Sequence, residues 1–164
     1  MSSVNNPKAP AKVLQYKEIA AHWSRQTGVP AALILAVIDQ ESDGRADARR
    51  YEPKYKPSDT HKAAMNKAGV PLEVQKTSYG LMQMMFPVAW GYGARTTIEL
   101  QEPKAAIRYG AAHLASLAKT VARVSKWNDN GFIREVAARY NGCKPGDKYA
   151  TDVLKLYQKY QQEV

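Results

Sequence analysis

An uninterrupted apolar helix constrains this chain more than any other feature of its sequence. The run Leu33–Ile38 is apolar on every side, and Pro30 suits the first turn of a helix. A helix of this kind has to be surrounded by other elements. The run stops abruptly in polar residues before Gly44. The sequence therefore predicts a central buried helix, from Ala31 to about Gln40, with the carboxylate of Glu41 at its end.

Helical periodicity recurs along most of the remaining chain, whereas strand signals are weak. A chain of 164 residues has the length of one ordinary domain. We expect a flexible arm over residues 1–10 and one mainly α domain over residues 11–164, with at most a minor β-hairpin between 44 and 77. The further predicted helices are Ala11–Thr27, a short helix near His61–Ala68, Ser78–Met85, Glu102–Lys119, Phe132–Tyr140 and Tyr149–Tyr160.

The net charge of the chain limits the classes of partner that we expect it to bind. It has 24 Lys and Arg against 15 Asp and Glu, a net charge of +9. Such an excess favours a polyanion: nucleic acid, a membrane surface or an anionic cell wall. Seven of the basic residues lie between 44 and 67. We interpret this stretch as a long surface loop, and loops of that length usually serve as lids or binding loops.

Several classes of protein are excluded or disfavoured. No apolar stretch approaches the roughly 20 residues of a membrane helix, and Met1–Pro7 lacks the apolar core of a secretory signal. A single cysteine, Cys143, excludes an internal disulfide framework. The histidines, His22, His61 and His113, have no acidic or cysteine companions at ligand spacing, so we expect no metal site.

Three short segments carry residues suited to chemistry on a sugar: Glu41-Ser42, Ser78–Gln83 and Arg139–Gly142. A glutamate at the mouth of an apolar helix is a candidate general acid, because partial burial raises the pKa of its carboxyl. The amides of Gln83 and Asn141 and the ring and hydroxyl of Tyr140 suit an N-acetylated sugar.

The order of these motifs resembles the soluble lytic transglycosylases, to which goose-type lysozymes are related. In that family an apolar helix ends in Glu-Ser. It is followed along the chain by Gly-Leu-Met-Gln, an Ala-rich helix, Tyr-Asn-x-Gly and a helix that begins with tyrosine. The order and spacing hold over about four-fifths of the chain. The resemblance implies a lysozyme-like α+β fold. The matching segments are Ala31–Ser42, Gly80–Gln83, Glu102–Lys119, Tyr140–Gly142 and Tyr149–Val153.

The resemblance also implies an activity, the cleavage of peptidoglycan between N-acetylmuramic acid and N-acetylglucosamine. In the family one glutamate protonates the glycosidic oxygen and then acts as base toward the muramoyl 6-hydroxyl, which closes a 1,6-anhydro ring. The resemblance implies that no metal or cofactor takes part. By position, Glu41 is that acid and base. The candidate substrate-binding residues are Ser42, Gly80, Met82, Gln83, Tyr140, Asn141 and Tyr149.

The chain departs from the family pattern in ways that leave a second reaction open. Met84–Phe86 intervene before Pro87, and Gly142 directly follows Asn141. The long segment after Glu41 contains Arg50–Pro53, which resembles a variant common among phage and prophage members. That variant brings a second carboxylate, Glu52. Two-carboxylate glycosidases hydrolyse with water, so a hydrolytic muramidase is the alternative.

A basic helical module that binds nucleic acid is the alternative outside enzymes. Its basic residues, however, are spread along the chain, and no helix has a clear recognition face. We therefore expect the partners to be peptidoglycan strands and the anionic envelope, not nucleic acid, and the protein to be a monomer. We expect synthesis in the cytoplasm and action at the wall, as a phage-type lysin delivered by a holin or a particle.

Overall fold

The computed structural model describes residues 9–121 and 126–164, so the first eight residues of the predicted arm lie outside its described part. The described residues are mainly helical, with one small sheet. The helices are α1 Ala11–Leu14, α2 Lys17–Thr27, α3 Ala31–Ser42, α4 Asp59–Lys67, α5 Leu72–Gln75, α6 Phe86–Gly91, α7 Thr97–Gln101, α8 Pro103–Val121, α9 Asn130–Asn141 and α10 Lys148–Tyr160. The strands are β1 Arg49–Tyr51, β2 Thr77–Tyr79 and β3 Met84–Met85.

Helix α3 is the centre of the larger hydrophobic core, as the sequence predicts. Every residue from Ala32 to Ile38 is at most 2% exposed. Helices α2, α8 and α10 pack around it. Full burial of each Leu or Ile side chain contributes about 1.5–3 kcal/mol to folding. This packing fixes the axis of α3 and, with it, the place where its polar end emerges.

A second, smaller core lies between the sheet and the helices near it. It is built from Met65, Tyr79, Met84, Phe86, Ala89, Ala94, Leu100 and Tyr109. The side chain of Tyr140, near the end of α9, contacts both this cluster and the larger one around α3. The seam between the two cores therefore runs past the end of α9.

The predicted helix over 78–85 is wrong, because this segment is a β-hairpin. Strands β1, β2 and β3 form an antiparallel sheet in that order, with Arg49 opposite Tyr79 and Ser78 opposite Met85. The turn between β2 and β3 contains two residues of positive φ, Gly80 at 81° and Gln83 at 47°. A right-handed helix has no place for either conformation.

The remaining helix predictions hold with local differences. The first predicted helix is divided into α1 and α2 by a turn at Gln15 and Tyr16, and Gly28 caps α2 in the left-handed conformation. The predicted loop over 44–67 contains β1 as well as α4. The short helices α5, α6 and α7 are absent from the sequence prediction. No helix within the described residues is long and apolar enough to cross a bilayer.

Candidate active site

A cavity of about 820 Å³ opens where the end of α3, the sheet, α6, α8 and α9 meet. Five of the sequence-predicted residues line it: Glu41, Glu52, Gln83, Tyr140 and Asn141. They come from four separate segments of the chain, and the fold brings them to one place. The other four predicted residues, Ser42, Gly80, Met82 and Tyr149, lie outside the lining.

Glu41 lies in the last turn of α3 with its side chain partly buried. Burial raises the pKa of its carboxyl from 4.5 to about 7; the charge of Arg50 lowers that pKa and the charge of Glu52 raises it. No hydrogen bond or ion pair from the described residues holds the carboxylate. Near neutral pH a large fraction of Glu41 is therefore protonated and free to donate its proton into the cavity.

Ser42 ties the end of α3 to the β2–β3 turn. Its Oγ donates to the carbonyl oxygen of Leu81 at 2.7 Å, with the carbonyl of Ile38 at 3.1 Å. The residue is buried, at 3% exposed. Ser42 thus fixes the position of Glu41 relative to the turn, and its binding of substrate stays a prediction.

Two tyrosines lie close to Glu41. The hydroxyl of Tyr140 donates to the Met82 carbonyl oxygen at 2.6 Å, whereas the hydroxyl of Tyr149 is buried without a partner among the described residues. The pKa of each is raised well above the ordinary value, first by burial and then by the negative charge of Glu41. Both hydroxyls are thus protonated beside Glu41, and that of Tyr149 is available as a donor.

Gln83 is held by the protein itself. Its Nε2 donates to the carbonyl oxygens of Ala48 at 3.0 Å and Gly80 at 2.8 Å, and its Oε1 accepts from Ser78 Oγ at 2.9 Å. These bonds satisfy both amide groups and fix the turn between β2 and β3. Gln83 therefore lines the cavity as part of a rigid wall, and its contact with substrate stays a prediction.

Gly80 and Met82 support the cavity from behind. A Cβ at position 80 would lie 1.7 Å from the carbonyl oxygen of Leu100, so only glycine allows this turn to approach α7. The side chain of Met82, 1% exposed, lies in the core against Gly110 of α8. Neither Gly80 nor Met82 lines the cavity, and the carbonyl oxygen of Met82 accepts the hydrogen bond that holds Tyr140.

Glu52 is engaged in an ion pair at the edge of the cavity. Its Oε1 lies 3.0 Å from Nε of Arg50, with the two side chains 41% and 77% exposed. Lys54 lines the same edge. The sequence leaves two roles open for Glu52, an ion-pair partner or a second carboxylate of the site. Its position in the structure fits both roles. Its charge acts on Glu41 while Arg50 compensates part of it.

Sequence reasoning missed several residues that line the cavity, above all His113 on α8. Burial lowers the pKa of its imidazole to about 4. Its ring lies 5.5 Å from that of Tyr140 and 5.4 Å from that of Tyr92, measured between centroids. The one sequence signal that could have indicated His113 was its polar ring among the alanines of α8. Val88 of α6 also lines the cavity without any signal of its own.

The donor set of the site is that of acid–base chemistry. Among the described residues, no three His, Cys, Asp or Glu side chains are grouped so that they could hold a metal ion. The cavity combines one carboxyl of raised pKa with amides, aromatic rings and the charged side chains of Arg50, Glu52, Lys54 and Arg139. Such an arrangement can protonate a leaving oxygen and hold a hydroxyl-rich ligand.

Comparison with known proteins gives one match. Residues 18–145 match the family model described as the transglycosylase SLT domain, a span of more than three quarters of the chain. The matched span includes Glu41, Gly80–Gln83 and Tyr140, whereas Tyr149 lies beyond it. The comparisons with curated proteins and with solved structures found no match.

Proposed function

We propose a reaction for this chain from one premise, that it belongs to the transglycosylase SLT domain family. Membership makes it an enzyme of the peptidoglycan lytic transglycosylase kind. The finer proposal is that it cleaves the β-1,4 bond between N-acetylmuramic acid and N-acetylglucosamine and leaves a 1,6-anhydromuramoyl end. The observation that carries this proposal is Glu41, a single carboxyl with a pKa of about 7 at the cavity.

In the first step, the Glu41 carboxyl gives its proton to the glycosidic oxygen. The bond from that oxygen to C1 of the muramoyl sugar breaks, and positive charge develops on C1. The ionised Glu41 carboxylate then takes the proton of the muramoyl 6-hydroxyl, and the oxygen of that hydroxyl bonds to C1. Glu41 ends in its starting protonation state, and no water is consumed. A carboxyl with a pKa near the working pH suits both halves of this cycle.

The neighbours of Glu41 support this cycle. The Tyr149 hydroxyl has no competing partner among the described residues, so it is free to donate to the carboxylate while that group is ionised. Tyr140, held by Met82, forms a fixed wall beside it. The ion pair with Arg50 keeps Glu52 engaged at the rim, which favours a one-carboxylate mechanism.

Hydrolysis is the second candidate, and one observation favours it. Glu52 lines the same cavity, and its charge raises the pKa of Glu41, so the two carboxylates interact across it. A retaining or inverting glycosidase needs such a pair. In that reaction Glu52 activates water or attacks C1, and the product ends in reducing muramic acid.

Mass spectrometry of muropeptides released from purified peptidoglycan separates the two reactions. The proposal expects anhydromuramoyl ends, lighter by one water than hydrolysed ends, from both the wild type and Glu52→Gln. Reducing ends that disappear in Glu52→Gln would establish the muramidase instead. Glu41→Gln should release nothing while it stays folded and keeps its binding to polyanions. Unchanged lysis by that variant would refute the assignment of Glu41.

We further propose peptidoglycan strands and the anionic envelope as the partners, with the protein acting as a monomer. Nucleic acid is the competing polyanion. Muropeptide release by the wild type, lost in Glu41→Gln, separates the cases, because a nucleic-acid-binding module would release no muropeptides even with Glu41 in place. A phage-type role and delivery by a holin or a particle stay predictions.

A further inference from the structure

The imidazole of His113 lines the cavity, and the proposed mechanism gives its two ring nitrogens no role. His113 lies on helix α8, and the side chain of Tyr92, just after α6, contacts its ring. The Tyr92 hydroxyl lies 2.8 Å from Nδ1 of His113. Because burial lowers the imidazole pKa to about 4, His113 is neutral wherever Glu41 has a proton to give near neutral pH.

The hydrogen bond with Tyr92 selects the tautomer. A phenol is a better donor than a neutral imidazole N–H, and the unprotonated imidazole nitrogen is a better acceptor than a phenol oxygen. The Tyr92 hydroxyl has no other partner among the described residues. It therefore donates to Nδ1, and the imidazole proton lies on Nε2.

His113 lines the cavity. Its Nε2 has no hydrogen-bond partner in the described part of the chain, and it is not among the buried polar atoms that lack one, so solvent reaches it. Val88 lies one helical turn before Tyr92 and lines the same cavity, as do Met84 and Met85. A single N–H donor thus stands beside apolar side chains.

A group that fits this wall has one acceptor oxygen and an apolar end. Sugar hydroxyls lack the apolar end, and a carboxylate pairs better with Arg50, Lys54 or Arg139 of the cavity edge than with neutral His113. An acetamido group has both a carbonyl oxygen and a methyl group. We propose that Nε2–H of His113 binds the carbonyl oxygen of an N-acetyl group on the sugar next to Glu41, with Val88 against its methyl. This inference rests on the proposed function, since it presumes a glycan in the cavity.

The test compares peptidoglycan from one source before and after de-N-acetylation, and it uses kcat/KM for product release. His113→Phe keeps a ring against Tyr140 and removes the donor, whereas His113→Gln keeps an N–H near the position of Nε2. His22→Phe, at an exposed histidine of α2 outside the cavity lining, is the matched control. Thermal unfolding of each variant checks that it folds.

The wild type and His22→Phe should prefer acetylated peptidoglycan by about tenfold, the size of one hydrogen bond to a neutral group. His113→Phe should lose about tenfold on acetylated substrate and little on de-N-acetylated substrate, so that the preference disappears, and His113→Gln should recover most of it. The inference is overturned if His113→Phe keeps the wild-type preference or cleaves acetylated peptidoglycan at the wild-type rate.

Tyr92→Phe provides a second route should His113→Phe fail to fold. It removes the hydroxyl that fixes the tautomer and leaves the imidazole in place. Its loss, about two- to fivefold, should again be confined to acetylated substrate, and an equal loss on both substrates would overturn the inference. Failure of the proposed function looks different, because then the wild type itself releases no muropeptides from either substrate.

Discussion

The surroundings of the Glu41 carboxyl favour its neutral form, so the folded protein loses stability when this group ionises. Its pKa is raised from 4.5 to about 7 by burial. The folded state therefore holds this proton more tightly than the unfolded chain does. Stability from this group is complete below pH 4.5, falls as the pH rises, and is lost above about 7, a loss of about 3 kcal/mol.

Glu41→Gln should remove this loss, because the amide stays neutral at every pH. We expect the variant and the wild type to unfold at similar temperatures near pH 4 and the variant to be the more stable above pH 7. Thermal unfolding followed across this range measures the difference. Glu18→Gln, at an exposed residue of α2, is the control for replacing one carboxylate by an amide. A constant difference for Glu41→Gln would contradict the raised pKa.

Tyr149 allows function and stability to be separated at a single atom. Its hydroxyl is buried and unpartnered among the described residues, so Tyr149→Phe removes no hydrogen bond of the resting protein. Stability should be unchanged or slightly higher. If the hydroxyl donates to ionised Glu41 during the reaction, kcat should fall about 10- to 100-fold, the worth of a hydrogen bond to a charged group.

A second tyrosine gives the opposite control. The hydroxyl of Tyr157 donates to the Trp127 carbonyl oxygen at 3.0 Å, outside the cavity lining. Tyr157→Phe should therefore cost about 1 kcal/mol of stability and leave kcat unchanged. Unfolding curves and turnover of the two variants are compared side by side. An active Tyr149→Phe would assign that hydroxyl no part in the reaction.

Single residues also show what sequence can reveal of a site. Glu41, Gln83 and Tyr140, which line one cavity, could be grouped from the sequence because each belongs to a short motif whose order along the chain is informative. His113 was missed because it depends on a contact across the fold: an isolated polar residue in a helix does not say which cavity it faces. The hydrogen bond to Tyr92, 21 residues away in sequence, gives the imidazole its tautomer.

At the scale of elements, apolar content predicts helix α3 well and the β2–β3 hairpin badly. A helix buried on all sides is apolar on all sides, so the run Ala32–Ile38 leaves little ambiguity. The hairpin is also buried on both faces, and its apolar residues show no alternation. Short buried strands and short helices then look alike. Only the two positive φ angles of its turn distinguish them.

Gly80 tests the hairpin directly. Gly80→Ala places a Cβ 1.7 Å from the Leu100 carbonyl oxygen, a backbone atom that cannot move aside cheaply. Gly69, with a similar φ of 77° and open space around it, is the matched position. Gly69→Ala should cost about 1–2 kcal/mol for the left-handed backbone alone, and Gly80→Ala should cost clearly more or prevent folding. Equal unfolding temperatures for the two variants would refute the close approach of the turn to α7.

On the scale of the whole molecule, the positive charge extends well beyond the proposed site. The net charge of +9 is spread over the chain, and Glu41, the proposed catalytic residue, lies in a cavity whose edge includes Arg50, Lys54 and Arg139. A polymer with many negative groups is attracted by the whole molecule, whereas the scissile bond of a glycan is uncharged. Association with the wall and cleavage within it should therefore respond differently to salt.

Raising the ionic strength shortens the Debye length from about 10 Å at 0.1 M to about 3 Å at 1 M. The apparent KM on intact sacculi should rise severalfold over this range while kcat stays constant, and a short uncharged glycan fragment should show no change in KM. Reversing two exposed cations outside the cavity lining, by Arg25→Glu and Lys155→Glu, should reproduce the rise in KM at low salt. If salt lowers kcat and leaves KM unaltered, attraction by the net charge does not deliver this enzyme to its substrate, and the cations at the cavity edge act on the chemistry instead.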